Sequence, residues 1–312
     1  MNERIVSTAV LATALALGGA LTTACGPRDP GEGAGADGDY EDRVAAEHEG
    51  DSPIPAAAGE AIEEVEVTAR PVAYATVAGR EVTGYLAQPA GAETRQDDEL
   101  PGLLVIHEWW GLNESIETTA RMLAQNGYKV LAVDLYGGEV AEDPENARRL
   151  VQEVDEAEAE DNLRQAHAYL AGDLRSPRVG VIGWCFGGGW SLRSALLLGE
   201  AVDAAVVFYG QPITDPQRLA ALEAPLLGIF GGQDSSIPVA DVRRLESTLR
   251  ELGKTAEVHV YEEAGHAFAN PSGERYVPEA ARQAWEETLA FLGEHLEGGA
   301  ACTPATEGAG TG

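Results

Sequence analysis

The spacing of hydrophobic and polar positions changes several times along the chain. Ile5 to Ala24 has no period: it is uncharged, rich in Ala, Leu and Val, and runs into Leu21-Thr22-Thr23-Ala24-Cys25. From Gly26 to Gly59 large apolar residues are sparse among Gly, Pro, Ala and acids. Such a stretch buries too little surface to offset its chain entropy, so residues 26–60 are expected to form a disordered tether, with His48 in solvent and without a partner. From Ile62 the pattern alternates, in Val65-Glu66-Val67, Val72 to Val77 and Val82 to Leu86, with Ala78-Gly79-Arg80 as a hairpin connection. These are expected as antiparallel opening strands.

Continuous apolar runs then replace the alternation. Leu103 to Ile106, Lys129 to Val133, Arg178 to Ile182, Ala204 to Tyr209 and Leu226 to Phe230 read as strands covered on both faces, with Glu257 to Tyr261 as the last strand. Helical spacing separates them: about Glu114 to Asn126 with Asn113 as N-cap, a long helix from Asp143-Pro144 to about Leu170, about Val239 to Leu252, and a closing helix from Pro278. Strands alternating with helices predict an α/β fold, a mostly parallel central sheet with helices on both faces and antiparallel N-terminal strands. The folded domain is placed at residues 61–297, and 298–312, rich in Gly, Ala and Thr, as a disordered tail.

Charge narrows the range of partners. The 312 residues hold 52 acids against 21 Lys and Arg, a net charge of -31, and the only lysines are Lys129 and Lys254. No surface here could neutralise many phosphates, which excludes nucleic acid as a partner. The acids of the long helix lack accompanying His ligands and read as a solvated face, so neither metal nor organic cofactor is expected. The leading apolar run ending in small residues and Cys reads as a signal peptide over residues 1–25. Its end resembles the lipobox of bacterial lipoproteins, which implies lipidation at Cys25 and an exported, membrane-anchored protein. The competing reading is an uncleaved spanning helix.

The candidate chemistry centres on Gly183-Trp184-Cys185-Phe186-Gly187. A nucleophile flanked by glycines two residues away on each side, between a buried strand and a helix, is the nucleophile-elbow pattern with Cys in place of Ser. The helix N-terminus beyond it favours thiolate; the alternative is an inert buried thiol. Asp234, in Gly231-Gly232-Gln233-Asp234, and His266, in Ala264-Gly265-His266-Ala267, each follow a separate strand. Sites of open α/β sheets form at such places, so these two are the candidate orienting acid and base. As structural residues they would be a turn cap and a loop histidine.

The order nucleophile, acid, base is that of α/β-hydrolases. Over roughly Ile62 to Leu296 the chain resembles the dienelactone hydrolase family, through His107-Glu108-Trp109-Trp110-Gly111-Leu112-Asn113, Asp134-Leu135-Tyr136, Gly183 to Gly188, Asp234 and Gly265-His266-Ala267-Phe268. The resemblance implies Cys185 as nucleophile, His266 as base and Asp234 as its orienter. It further implies Glu108 in contact with the resting thiol, keeping it neutral until substrate binds, and an oxyanion hole from the backbone N–H groups of Phe186 and Trp109. The arginines that hold a substrate carboxylate in the founding enzymes have no counterparts at the matching places. Gly137-Gly138 and Ala269-Asn270-Pro271 stand there, and Arg275 is only nearby. A neutral ester or lactone is therefore the expected small-molecule substrate, in a pocket of Trp110, Tyr136, Trp184, Tyr209 and Phe268. The alternatives are acyl transfer on the same fold and a non-catalytic surface binding lipoprotein.

Overall fold

A computed structural model describes residues 34–49, 65–92, 100–271 and 273–297. The signal-like segment with Cys25 and the tail at 298–312 lie outside the described residues. One eight-stranded sheet organises the rest, in the order β1-β2-β4-β3-β5-β6-β7-β8. β1 (Val67–Val77) and β2 (Arg80–Pro89) form the expected hairpin, and β2 runs antiparallel to β4 (Lys129–Val133). From β4 through β3 (Gly102–Ile106), β5 (Val179–Trp184), β6 (Ala204–Phe208), β7 (Leu226–Gly231) and β8 (Ala256–Tyr261) every pairing is parallel. All residues of β3 to β7 are buried. This is why their sequences run apolar without alternation. β8 is half-exposed at the sheet edge.

The helices fall between these strands. They are α2 (Glu114–Gln125), α3 (Pro144–Glu153), α4 (Glu156–Ala168), α5 (Phe186–Leu198), the short α6 (Pro216–Leu219), α7 (Val239–Glu251) and α8 (Pro278–Leu296). Asn113 caps α2 by accepting from Ile116 N at 3.2 Å, as its sequence indicates. The long helix expected from Asp143 is two helices. Asp155 accepts from Glu158 N at 2.9 Å and starts α4 as a second N-cap, so the chain breaks at Val154. A π-turn over Tyr169–Asp173 ends α4. Tyr74 of β1 donates to Asn162 of α4 at 2.6 Å, and Asn162 donates to Asp134 O at 2.8 Å. The loop after β4 is thereby tied to the helix layer.

The largest departure from the sequence reading lies in the expected tether. Residues Ala34–Glu47 form a helix, α1, ending against the C-terminal edge of the sheet. Tyr40, Val44 and His48 are buried there. These three are four residues apart, so a helix places them on one face, and the body of the protein supplies the surface that the segment could not bury alone. Among the described residues, no helix is long and apolar enough to cross a membrane.

Candidate active site

Cys185 closes β5 and caps α5 with φ +55° and ψ -118°, a conformation that a non-glycine residue adopts only when its surroundings impose it. Its backbone N–H donates to Phe208 O at 3.0 Å. The turn is tight because α5 starts one residue later, wedged between the ends of β3 and β6. This geometry turns the thiol out of the sheet edge and puts the N–H of Phe186 at an open helix terminus.

His266 follows β8 and Asp234 follows β7. His266 Nε2 lies 3.2 Å from Cys185 Sγ, and His266 Nδ1 lies 2.8 Å from Asp234 Oδ2. Asp234 is fixed in turn: its Oδ1 accepts from Ser236 N at 2.8 Å and Ile237 N at 2.9 Å. Both side chains of the His–Asp pair are fully buried. Burial alone would lower the His266 pKa. The negative charges of Cys185 and Asp234 and the hydrogen bonds to them outweigh it and hold His266 well above its ordinary 6.5. The three residues singled out from sequence thus converge in one buried chain of contacts.

Glu108 Oε2 accepts from Asn270 Nδ2 at 3.3 Å. Burial lifts its pKa to about 7, against an opposing pull from His266 and Asn270. This has a consequence for stability. The folded state keeps the Glu108 proton up to about pH 7, whereas the unfolded chain releases it near 4.5. Between these values the native state binds more protons, so stability falls as pH rises and the full penalty stands above pH 7. Glu108→Gln is expected to stabilise the fold at pH 8 by about 2–3 kcal/mol and by almost nothing at pH 4.5. Thermal melts across that range check this; a constant difference would mean that Glu108 ionises normally in the fold.

The loop of Trp109 is held by His107, Asp134 and Tyr136. His107 Nδ1 donates to Glu108 O at 2.6 Å, and His107 Nε2 accepts from Leu135 N at 3.2 Å. Burial lowers the His107 pKa and keeps the ring neutral, which suits those opposite roles. Tyr136 donates to Trp109 O at 3.2 Å, and Asp134 accepts from Tyr136 N at 2.9 Å. The peptide that carries the second expected oxyanion donor is thus braced from two loops.

The cavity lined by Cys185 has a volume of about 20 Å³, with Tyr40, Val44, Trp109 and Phe186 in its wall. None of Trp110, Tyr136, Trp184, Tyr209 and Phe268 lines it. Trp184 stacks on Phe208 in the core, and Phe268 packs against Tyr209 and Tyr261. Tyr209 lies edge-on to His266 with ring centroids 5.3 Å apart, and Tyr136 lines a separate acidic cleft of about 370 Å³. Tyr40 and Val44 of α1 line the cavity at Cys185. His48, expected in solvent, lies against Trp109 at 4.5 Å and edge-on to His266 at 5.6 Å. The Arg275 Nη2 donates to His48 Nδ1 at 2.9 Å.

Two groups of metal-type donors meet here: His48, Cys185 and His266, and Glu47, Asp234 and His266, each with its donor atoms within 4.8 Å of one another. The Arg275 bond places the His48 proton on Nε2, which makes that nitrogen a donor and not a ligand. In the second group, His266 Nδ1 is already committed to Asp234.

An eight-stranded mixed sheet with Cys185, Asp234 and His266 on loops after its parallel strands defines an α/β-hydrolase. The family model of the dienelactone hydrolase family matches residues 82–296, and the chain belongs to that family. It is therefore a hydrolase of ester or lactone bonds. Among relatives, a Methylorubrum extorquens protein provisionally named carboxymethylenebutenolidase is 34% identical over 66% of this chain and 74% of its own length. An Aquifex aeolicus protein with the same provisional name is 31% identical over 70% of this chain and 96% of its own. A solved Klebsiella pneumoniae structure, provisionally named a dienelactone hydrolase, superposes with a TM-score of 0.66 at 29% identity. It covers 73% of this chain and 99% of that one.

Proposed function

We propose that Cys185, His266 and Asp234 are a catalytic triad that hydrolyses a neutral carboxylic ester or lactone. The observation that carries this is the buried chain from Asp234 through both nitrogens of His266 to the sulfur. His266 takes the thiol proton, and Sγ forms a bond to the carbonyl carbon. The oxyanion meets the N–H groups of Phe186 and Trp109. The bond to the alcohol oxygen then breaks, and that oxygen leaves with the proton from His266 Nε2. A water gives its proton to His266 and attacks the thioester; the C–S bond breaks, the sulfur takes that proton from His266, and the acid leaves with the Cys185 thiol and the free base restored. Asp234 holds the ring by Nδ1, and the peptide N–H groups of Ser236 and Ile237 hold Asp234.

A neutral substrate is supported by how the nearby cations are engaged: Arg148, in the wall of the Cys185 cavity, pairs with Asp42. Arg275 donates from Nε to His266 O at 3.2 Å and from its two other nitrogens to the end of α1, so its guanidinium is turned toward the protein. With a net charge of -31, an anionic substrate would meet repulsion during approach. Export with a lipid anchor at Cys25 belongs to the same proposal and rests on the small-residue ending of the apolar run at 5–24.

The test is a stopped-flow reaction with 4-nitrophenyl acetate beside an ester carrying a free carboxylate. A burst of nitrophenolate, an acetyl group on the Cys185 peptide by mass spectrometry and preference for the neutral ester at low salt are expected. Acylation that discharges to an added alcohol faster than to water would make the protein an acyl transferase. A folded protein that is never acylated at Cys185 would be a binding protein on the same fold.

A further inference from the structure

α1 lies outside the family match at 82–296, yet it reaches the nucleophile. Its attachments go to the site itself. The Glu47 carboxylate accepts from Ser235 N at 2.8 Å and from the Ser235 hydroxyl, and Arg43 Nε donates to Ser236 O at 3.1 Å. These two serines directly follow Asp234. Arg275, which donates to His266 O, also donates to Glu47 O at the last turn of α1. A cation on a terminal carbonyl of a helix is a favourable C-terminal contact. Asp42 pairs with Arg148, which also lines the cavity at Cys185. These contacts hold the C-terminal half of α1 at the site.

What it places there restricts the space. Tyr40 and Val44 form the wall opposite Cys185, Trp109 and Phe186, around a cavity of about 20 Å³. That volume admits about one water-sized group. The Tyr40 hydroxyl is buried without a hydrogen-bond partner among the described residues. Burial and then the charges of Cys185 and Asp234 hold this phenol well above 10, so it stays an O–H donor. An uncommitted donor beside the nucleophile suits an ester oxygen.

We propose that α1 is a specificity-determining wall of the ester site: Tyr40 and Val44 limit the acyl group at Cys185 to about acetyl size while the helix is docked. Longer acyl groups require it to withdraw. The inference rests on the nucleophilic role proposed for Cys185.

The full chain is tested as wild type, Tyr40→Ala/Val44→Ala and Val44→Phe. The first readout is kcat/KM for 4-nitrophenyl acetate, butyrate and octanoate. The double variant is expected to raise the butyrate-to-acetate ratio by about 10-fold or more, in line with what a methylene-sized change in a pocket does. The second readout needs no turnover: the rate of Cys185 alkylation by iodoacetamide and by a bulky benzyl iodoacetamide, followed on the Cys185 peptide. The double variant is expected to speed the bulky reagent by about 10-fold relative to the small one. Val44→Phe, which fills the cavity, is expected to slow even iodoacetamide. Unchanged ratios in both assays would overturn the inference. A shifted alkylation profile with no ester turnover would keep α1 as the wall over Cys185 and overturn the ester reading instead.

Discussion

Cys185→Ala is expected to lower kcat for 4-nitrophenyl acetate by about 10⁴-fold or more, and His266→Ala by a similar factor, with both proteins folded as wild type. The reason is geometric. The 3.2 Å contact from His266 Nε2 to Sγ is the route by which the thiol loses its proton. Either substitution removes that step whole. Asp234→Asn acts through the ring and not the sulfur: an amide in place of Oδ2 can donate to Nδ1 and so favours the wrong tautomer. A loss of about 10³–10⁴-fold is expected for it. Because the three act as a unit, the triple variant should be little slower than Cys185→Ala alone. Residual rates that multiply across the variants would show independent contributions and would sink the triad. Steady-state kinetics with circular dichroism of each variant gives the answer.

The triad is legible in the sequence for a physical reason. A parallel sheet buried on both faces demands continuous apolar runs, and these mark β3 to β7 with their ends. Catalytic side chains at the C-terminal ends of parallel strands are therefore positioned by the fold class; Cys185 and Asp234 follow two of the buried strands, and His266 follows the half-exposed edge strand β8. The break between α3 and α4 is less visible, because Asp155 lies among other acids and only its bond to Glu158 N distinguishes it. Glu108 illustrates the limit of a motif: its place in the loop is legible, whereas its bond to Asn270 depends on how two distant loops meet. The wall of the site is hidden for another reason. α1 is poor in apolar residues and borrows its core from the rest of the chain, so composition marks it as a tether. The signal that would have found it is Tyr40, Val44 and His48 at intervals of four on one helical face.

Gly187→Ala is expected to cost about 4 kcal/mol or more, lowering Tm by roughly 8–16 °C in a domain of this size. Gly187 opens the first turn of α5 directly behind the nucleophile. A Cβ there would overlap the carbonyl oxygen of Ile106 and stand 2.5 Å from that of His107, both backbone atoms at the end of β3. Neither can swing aside as a side chain would. Relief requires α5 to move off β3, which would take Cys185 from His266 and the N–H of Phe186 from the loop of Trp109. Stability and turnover should therefore fall together. Gly189 is the internal control, two residues along the same helix. A Cβ at that position meets nothing closer than Gln211 N at 3.5 Å, an ordinary contact. Since glycine inside a helix carries an entropic penalty, Gly189→Ala is expected to leave Tm unchanged or raise it slightly, with a gain of up to about 1 kcal/mol. Thermal melts of the two variants side by side separate a steric requirement from a general intolerance of this helix to side chains. Equal melting points would mean that α5 does not press on the end of β3, and the strained turn at Cys185 would lose its structural cause.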